Sequence, residues 1–203
     1  MKAMSSAPKY SLSYTTGAAL IREAVEVARL KSELNSWSEV QKHVFDNNIF
    51  QSRTVSTLKR MYGEVSRRLK HLTDDELSLL AHGSESEQKQ LVWLAICNHY
   101  LLIRNFAVEV LSLQFEAARY AVTHDDYDVF FNAKAEWHEN LDTASTQTKS
   151  KARQVLFKML RECGLINEHD EIIRQHLEPA VLAIIKNNDA IDLDVFPGVL
   201  SGQ

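Results

Sequence analysis

The clearest pattern of apolar and polar positions in the chain lies in residues 54–72. Its apolar residues recur at spacings of three and four, which places their side chains on one face of an α-helix. These residues are Val55, Leu58, Tyr62, Val65, Leu69 and Leu72. The pattern predicts a helix with one buried face, and Arg53, Arg60 and Arg67 project almost opposite that face.

Further helices are predicted along most of the chain. Their approximate spans are residues 18–34, 36–45, 73–83, 85–122, 125–136, 145–163 and 178–187. Capping boxes at Thr73 with Glu76 and at Ser84 with Glu87 indicate two helix starts, and Gly164 is a typical left-handed terminator.

The longest of these patterns, residues 85–122, differs from the others. Its apolar side chains, from Leu91 to Leu113, wrap widely around the helix axis instead of forming one stripe. This distribution predicts a central and mostly buried helix, with a break near residues 99–104.

The predicted fold class is mainly α, a compact multi-helix domain. Residues 1–9 are predicted to be a flexible tail, and residues 10–17 an extended lead-in. Residues 10–123 would form a helical bundle that contains the basic third helix. Residues 124–203 would form a C-terminal helical part packed on the first, with a small β-hairpin within residues 165–173.

Composition supports a globular protein. The 203 residues are 45% hydrophobic, with only 6 Gly and 3 Pro, which favours helices and a real core over disorder. Cys97 and Cys163 are too few for a disulfide framework and are predicted to be reduced core thiols. No signal peptide and no apolar run of about 20 residues is evident, so a soluble, cytoplasmic protein without membrane insertion is expected.

Positive charge is concentrated in two stretches, although the formal net charge is -4. Residues 53–71 contain a single acid, Glu64, and residues 149–161 contain none. The candidate nucleic-acid-binding residues are Arg53, Lys59, Arg60, Arg67, Arg68, Lys70, Lys149, Lys151, Lys158 and Arg161. Because an unpaired charge is costly to bury, these side chains are expected at the surface, where polyanions are their first candidate ligands.

Two structural interpretations stay open for each basic helix. The row of Arg53, Arg60 and Arg67, about 10.5 Å per step, can follow a phosphate backbone, but it also fits a solvated face. The second basic helix is followed by Gly164 and the hairpin, the order of elements in a winged helix-turn-helix. Glu168 and Asp170 in the wing would be repelled by phosphate, so local evidence favours an ordinary helix and hairpin.

The sequence contains few patterns that indicate a catalytic, metal or cofactor site. The eight histidines lack metal-ligand spacing, and no Gly-rich loop follows a strand, so neither a metal nor a cofactor is expected. Lys134, Glu136 and His138 form the most enzyme-like cluster. The alternative, which is preferred, is that Trp137 fills the core and its neighbours make local hydrogen bonds.

Three segments together resemble the BrxA family of bacterial BREX (bacteriophage exclusion) defence systems. They are YSLSYTTG at residues 10–17 with the helix that follows, FFNAKAEWH at 130–138 and KARQVLFKMLRECGL at 151–165. The resemblance covers about residues 10–196 and rests on order and length, not on a catalytic signature. It implies a mainly helical protein with a NusB-like N-terminal part, no enzymatic role, and contact with nucleic acid and other BREX components.

Two functional hypotheses follow. The first is a non-enzymatic accessory protein that binds DNA, or RNA, mainly through phosphates, with salt-sensitive affinity. The alternative is a protein-interaction adaptor whose acidic segment, residues 125–142, docks on basic surfaces of larger defence subunits and which binds little nucleic acid.

Overall fold

The computed structural model describes residues 10–15, 17–34 and 36–199 of the chain. Nearly all regular structure in this part is helical, which confirms the predicted mainly α class. The α-helices are α1 (Ile21–Glu33), α2 (Trp37–Asp46), α3 (Val55–Leu69), α4 (Asp74–His82), α5 (Glu85–His99), α6 (Leu101–Phe106), α7 (Leu113–Glu116), α8 (His124–Ala135), α9 (Glu139–Asp142), α10 (Thr146–Glu162) and α11 (Pro179–Asn188). A π-helical segment spans Ala107–Ser112, and 3₁₀ turns span Ser13–Thr15 and Ala190–Val195.

Helix starts follow the predicted capping signals. In α4 the Thr73 hydroxyl accepts the amide of Glu76, whose carboxylate accepts the amide of Thr73 in return. Ser84 and Glu87 make the same reciprocal pair at the start of α5. Each box satisfies two amides that a helix N-terminus would otherwise leave without a partner, so both starts are fixed locally.

The long central pattern is broken where a break was predicted. Tyr100 leaves the helical region (φ -111°, ψ 93°), and the chain beyond it turns by 112° relative to α5. Trp93 of α5 is fully buried and donates from Nε1 to the carbonyl of Val195 at 2.9 Å. The C-terminal 3₁₀ turn is thereby fastened to the central helix. The break matters for the candidate site, because Tyr100 faces the buried side of α3.

One hydrophobic core runs through the described residues, from Tyr10 near the start of the chain to Phe196 near its end. The lead-in before α1 was predicted to be extended, but it contains the 3₁₀ turn and packs inward. The Tyr14 hydroxyl lies 3.3 Å from that of Tyr127 on α8. Burial raises the pKa of both phenols, that of Tyr127 to about 12. These groups therefore stay neutral and serve as packing and hydrogen-bonding groups.

The predicted β-hairpin, and with it the winged-helix arrangement, is wrong. Gly164 ends α10 with φ 77° as predicted, but no strand forms in residues 10–15, 17–34 and 36–199. Within these ranges the segment makes isolated bridges, Ile166 with Ile172 and Ala121 with Glu171. The Ile173 amide donates to the Leu165 carbonyl at 2.8 Å and the Asn167 amide to the Glu171 carbonyl at 2.9 Å, which is too little pairing to make two strands. Without strands there is no wing beside α10.

The predicted tail, residues 1–9, lies outside the described residues. The division of the chain into residues 10–123 and 124–203 stays a prediction. Several contacts do cross that boundary, including those of α11 with α4 and α5.

Candidate nucleic-acid interface

Five of the ten predicted cations lie at the surface along α3: Lys59, Arg60 and Arg67 on the helix, Lys70 at its C-cap, and Arg53 just before its N-cap Thr54. Thr54 caps the helix by accepting the amide of Thr57 at 3.1 Å, and the predicted apolar positions from Leu58 to Leu69 are buried. Val55 is the exception, because it lies in the first turn and is 66% exposed, contrary to prediction. Burial of one face leaves the opposite face of α3 directed to solvent.

Three cations on this face are unengaged. Arg53, Lys59 and Arg60 are exposed, and none of them makes an ion pair or hydrogen bond to another described residue. Lys70, at the C-terminal end, is also exposed, and its ammonium lies 5.6 Å from the ring centroid of Trp37. That contact restrains Lys70 without neutralising its charge.

Arg67 is partly exposed and also pairs with a buried carboxylate. Its guanidinium donates to the carboxylate of Glu64, yet half of its side chain remains exposed. Glu64 is buried on the same helix and also accepts the Tyr100 hydroxyl. Burial and the Glu64 carboxylate raise the pKa of Tyr100 to about 12, so the phenol keeps the proton that it donates.

The placement predicted for Arg68 is wrong. Only 2% of Arg68 is exposed, and its Nη1 donates to the carbonyls of Ala18 at 3.0 Å and Ala19 at 3.2 Å. Its Nη2 lies 3.3 Å from the carboxylate of Glu64. A buried arginine is tolerated here because an acid and two carbonyls compensate its charge. Arg68 is therefore a core residue and cannot contact a ligand at the surface.

The cations of α10 are more engaged than those of α3. Arg161 pairs with Asp170, and Lys158 lies 3.6 Å from Glu162. Lys149 donates to the carbonyl of Asp142 at 3.3 Å. Lys151 is exposed and has no interaction with another described residue. The free positive charge of the second stretch is thus smaller than the sequence suggests.

The structure brings the C-terminal turns of the two basic helices together. Arg68 of α3 holds the Ala18 and Ala19 carbonyls, and the Ala19 amide donates to Glu162 of α10 at 2.7 Å. One short backbone segment thereby joins α3 to α10.

Sequence reasoning missed one residue of this face, Gly63. It follows Arg60 by three residues and precedes Arg67 by four, so it lies on their side of α3. A Cβ built on Gly63 would meet only Nη1 of Arg67, at an ordinary 3.7 Å. A glycine in the middle of an otherwise regular helix was the signal that could have pointed to it.

The enzyme-like cluster does not assemble. Lys134 pairs with Glu109 at 2.6 Å, while the ring of His138 lies 4.3 Å from that of Tyr10, centroid to centroid. Trp137 does not fill the core as predicted, because it is 82% exposed. The side chains of this segment therefore engage separate partners instead of one reacting centre.

The described part of the chain was also compared with the requirements of a metal site, a membrane span and a reactive thiol. No group of three or more His, Cys, Asp or Glu side chains there could hold a metal ion. No single described helix is long and apolar enough to cross a membrane, and only the bent pair Glu85–His99 with Leu101–Glu116 meets that test by length and composition. Cys97 and Cys163 are buried free thiols, as predicted, and burial raises the pKa of both.

The fold and this surface define a mainly helical protein that presents a cationic helix to solvent. Comparison with known proteins identifies its family. The BrxA family model matches residues 8–189, and the chain belongs to that family of BREX phage-defence proteins.

Individual relatives agree with this assignment. The chain is 29% identical over 164 residues to the BREX protein BrxA of Bacillus cereus (strain H3081.97), covering 79% of this chain and 82% of the relative. It is 26% identical over 151 residues to the BREX protein BrxA of Escherichia coli O9:H4 (strain HS), covering 74% and 71%. The fold resembles a crystal structure of an uncharacterized protein from Magnetospirillum magneticum, with TM-score 0.81, 19% identity, and 91% and 96% coverage.

Proposed function

We propose that this protein is a non-enzymatic accessory component of its phage-defence system that binds DNA through phosphate contacts. The observation that carries the proposal is the exposed surface of α3 and the residue before its N-cap, where Lys59, Arg60 and Arg53 have no acid to neutralise them. In a protein of net charge -4, such a face is a local field that attracts polyanions. Arginine donors suit phosphate oxygens particularly well.

Gly63 supports the proposal from a different direction. A glycine inside a helix costs about 1 kcal/mol relative to alanine. The contacts around Gly63 offer no compensating reason for it, since an added Cβ would meet only Arg67 at 3.7 Å. A ligand can explain the glycine instead: without a side chain at this position, a phosphate backbone can lie directly against the helix. Glycine would then allow the ligand to approach α3 between Arg60 and Arg67.

The arrangement favours affinity over sequence readout. Base recognition requires side chains that enter a groove, whereas phosphate contacts carry no sequence information. The unengaged side chains at α3 are Lys59 and Arg60 on the helix and Arg53 before it, and the described residues form no wing that could flank a recognition helix. We therefore expect strong salt dependence and weak discrimination among sequences.

The test is a fluorescence anisotropy titration of the full chain with labelled duplex DNA, and with duplex RNA of the same sequence, at several salt concentrations. The variant is Arg53→Ala with Arg60→Ala, which removes two unengaged cations and leaves the Glu64 network intact. Each lost phosphate contact reduces the slope of log K against log salt by about 0.9. We expect weaker binding and a slope reduced by about 2.

The matched control is Arg174→Ala with Lys186→Ala, which removes the same charge from exposed positions in the C-terminal segment. If both double variants lose the same DNA affinity, the loss reflects the net charge of the protein and not a particular surface. Wild-type binding by the Arg53 and Arg60 variant would contradict the proposed surface, as would no binding of wild-type protein in dilute buffer. If the protein binds RNA more tightly than DNA, its ligand is RNA and not DNA.

A second candidate function is that of a protein-interaction adaptor. It is favoured by the exposed Trp137, which lies in the acidic part of the chain. Recovery of a stable complex with other BREX components from nuclease-treated extract would support this function. The two functions use different surfaces and are compatible.

A further inference from the structure

An open groove lies between the segment that runs from the π-helical turn into α7 and helix α8. Its volume is about 770 Å³, and Trp137, which follows the end of α8, belongs to its lining. Val110 and Leu113 come from one wall, and Val129 and Phe130 from the other. π-helical segments occur frequently at functional sites.

The groove gathers large apolar side chains that face solvent. Trp137 is 82% exposed, Val129 71% and Leu113 56%. Leu113 was expected to be buried with the rest of the central helix, and Trp137 to fill the core. Single exposed apolar residues are ordinary, but a group that lines one concave surface marks an interaction site. Tryptophan is moreover among the residues that contribute most to binding at interfaces.

The charge around the groove is negative. Residues 107–137 contain six acids and two bases, Arg119 and Lys134. Both bases are already paired, Arg119 with Asp126 at 3.5 Å and Lys134 with Glu109 at 2.6 Å. Asp125 lines the groove, and Glu116 ends α7 beside it. Within the described residues neither of these two acids has an ion-pair partner, so the rim keeps uncompensated negative charge.

We propose that this groove binds an amphipathic helix of another protein, with an apolar stripe on the groove floor and Lys or Arg along its flanks. A helix in a groove presents apolar anchors at positions i, i+3 or i+4, and i+7, and this groove offers Leu113, Val129 and Trp137 in its lining to receive them. The acidic rim selects a basic partner. This inference gives the adaptor function a surface and does not depend on DNA binding.

Other occupants fit less well. Nucleic acid and anionic lipid would be repelled by the acidic rim. A second copy of this chain would have to offer a basic helix with a free apolar stripe. Its basic helices α3 and α10 both bury their apolar faces in the core, apart from Val55.

The experiment uses the full chain and two fluorescein-labelled peptides of equal length that share one leucine stripe. One carries lysine on both flanks and the other glutamate. We expect saturable binding of the lysine peptide and at least ten-fold weaker binding of the glutamate peptide. Trp137→Ser with Val129→Ser should weaken binding of the lysine peptide at least ten-fold. Asp125→Asn with Glu116→Gln should weaken it while leaving the apolar floor intact.

The control is Val55→Ser with Ile191→Ser, which removes two other exposed apolar side chains and should bind the lysine peptide normally. All of these positions are exposed, so thermal unfolding should stay near wild type. No saturable binding of the lysine peptide, or equal affinity for both peptides, would overturn the proposal. So would dimerisation that the Trp137 and Val129 variant abolishes.

Two further measurements on the Trp137 and Val129 variant distinguish this proposal from the adaptor function and from DNA binding. If the Trp137 and Val129 variant still assembles with other BREX components, the groove fails while the adaptor function survives. DNA affinity of that variant should equal wild type, because its substitutions leave α3 untouched.

Discussion

Replacement of Gly63 by alanine should move stability and DNA affinity in opposite directions. The free protein should gain about 1 kcal/mol, the difference between glycine and alanine in a helix interior. No clash offsets this gain, since the new Cβ would lie at an ordinary contact distance of 3.7 Å from the guanidinium of Arg67. For a chain of 203 residues, 1 kcal/mol corresponds to a rise in Tm of about 2–4 °C.

The effect on binding follows from the position of Gly63 between Arg60 and Arg67. A methyl group extends about 1.5 Å from the backbone and would hold a closely packed phosphate away by a similar distance. At an effective dielectric constant of about 20, moving one ion pair from 4 Å to about 5.5 Å weakens it by roughly 1 kcal/mol. We therefore expect DNA affinity to fall about five-fold, and further for Gly63→Gln, which also favours helix but is larger.

The assay pairs thermal unfolding by circular dichroism with anisotropy titrations at one fixed salt concentration. Ser56→Ala is a suitable control, because Ser56 is exposed one turn before Arg60 on the same helix and already carries a Cβ. Variants that are more stable and bind DNA like wild type would refute close approach at Gly63. Loss of stability in both variants would refute the helix argument itself.

Two further predictions concern the interior next to this face. Arg68→Ala should destabilise the fold by about 3–5 kcal/mol in urea unfolding, because it leaves buried Glu64 with less compensation, whereas Arg60→Ala should stay within about 0.5 kcal/mol. Burial and the nearby charge of His71, whose Nε2 lies 3.0 Å from Nδ1 of His99, hold the pKa of His99 below 6.5. The unfolded chain then binds more protons below about pH 6.5, so stability should fall as pH drops through that window, and the Tm of His99→Asn should depend less on pH. An unchanged pH profile in that variant would contradict this assignment.

Local signals in the sequence predict the helices well. The boxes at Thr73 and Ser84 fix helix starts through contacts within four residues, so they need no knowledge of the fold. The break at Tyr100 was visible because polar residues interrupt an apolar run. The hairpin was wrongly predicted because strand pairing depends on partners distant in sequence. Here the Ile172 amide donates to the Tyr120 carbonyl at 2.6 Å, and pairing with the residues after Gly164 stops at one bridge.

The site was predicted less completely than the fold, for a physical reason. Helical projection gives the direction of a side chain but not what lies opposite it. Arg68 lies only one residue beyond Arg67, yet it faces the Ala18 and Ala19 carbonyls, which belong to a distant part of the chain. Trp137 was predicted to be buried but is exposed. In sequence, an aromatic residue between charged neighbours fits a core position and a surface position equally well.

The peptide unit between Ala18 and Ala19 is held from both sides, by the guanidinium of Arg68 at the Ala18 carbonyl and by the carboxylate of Glu162 at the Ala19 amide. The two side chains belong to α3 and α10, so rotation of either helix would break a hydrogen bond to this peptide unit. The C-terminal turns of α3 and α10 are accordingly tied together when the chain folds, and a ligand of either helix would meet them already in that arrangement.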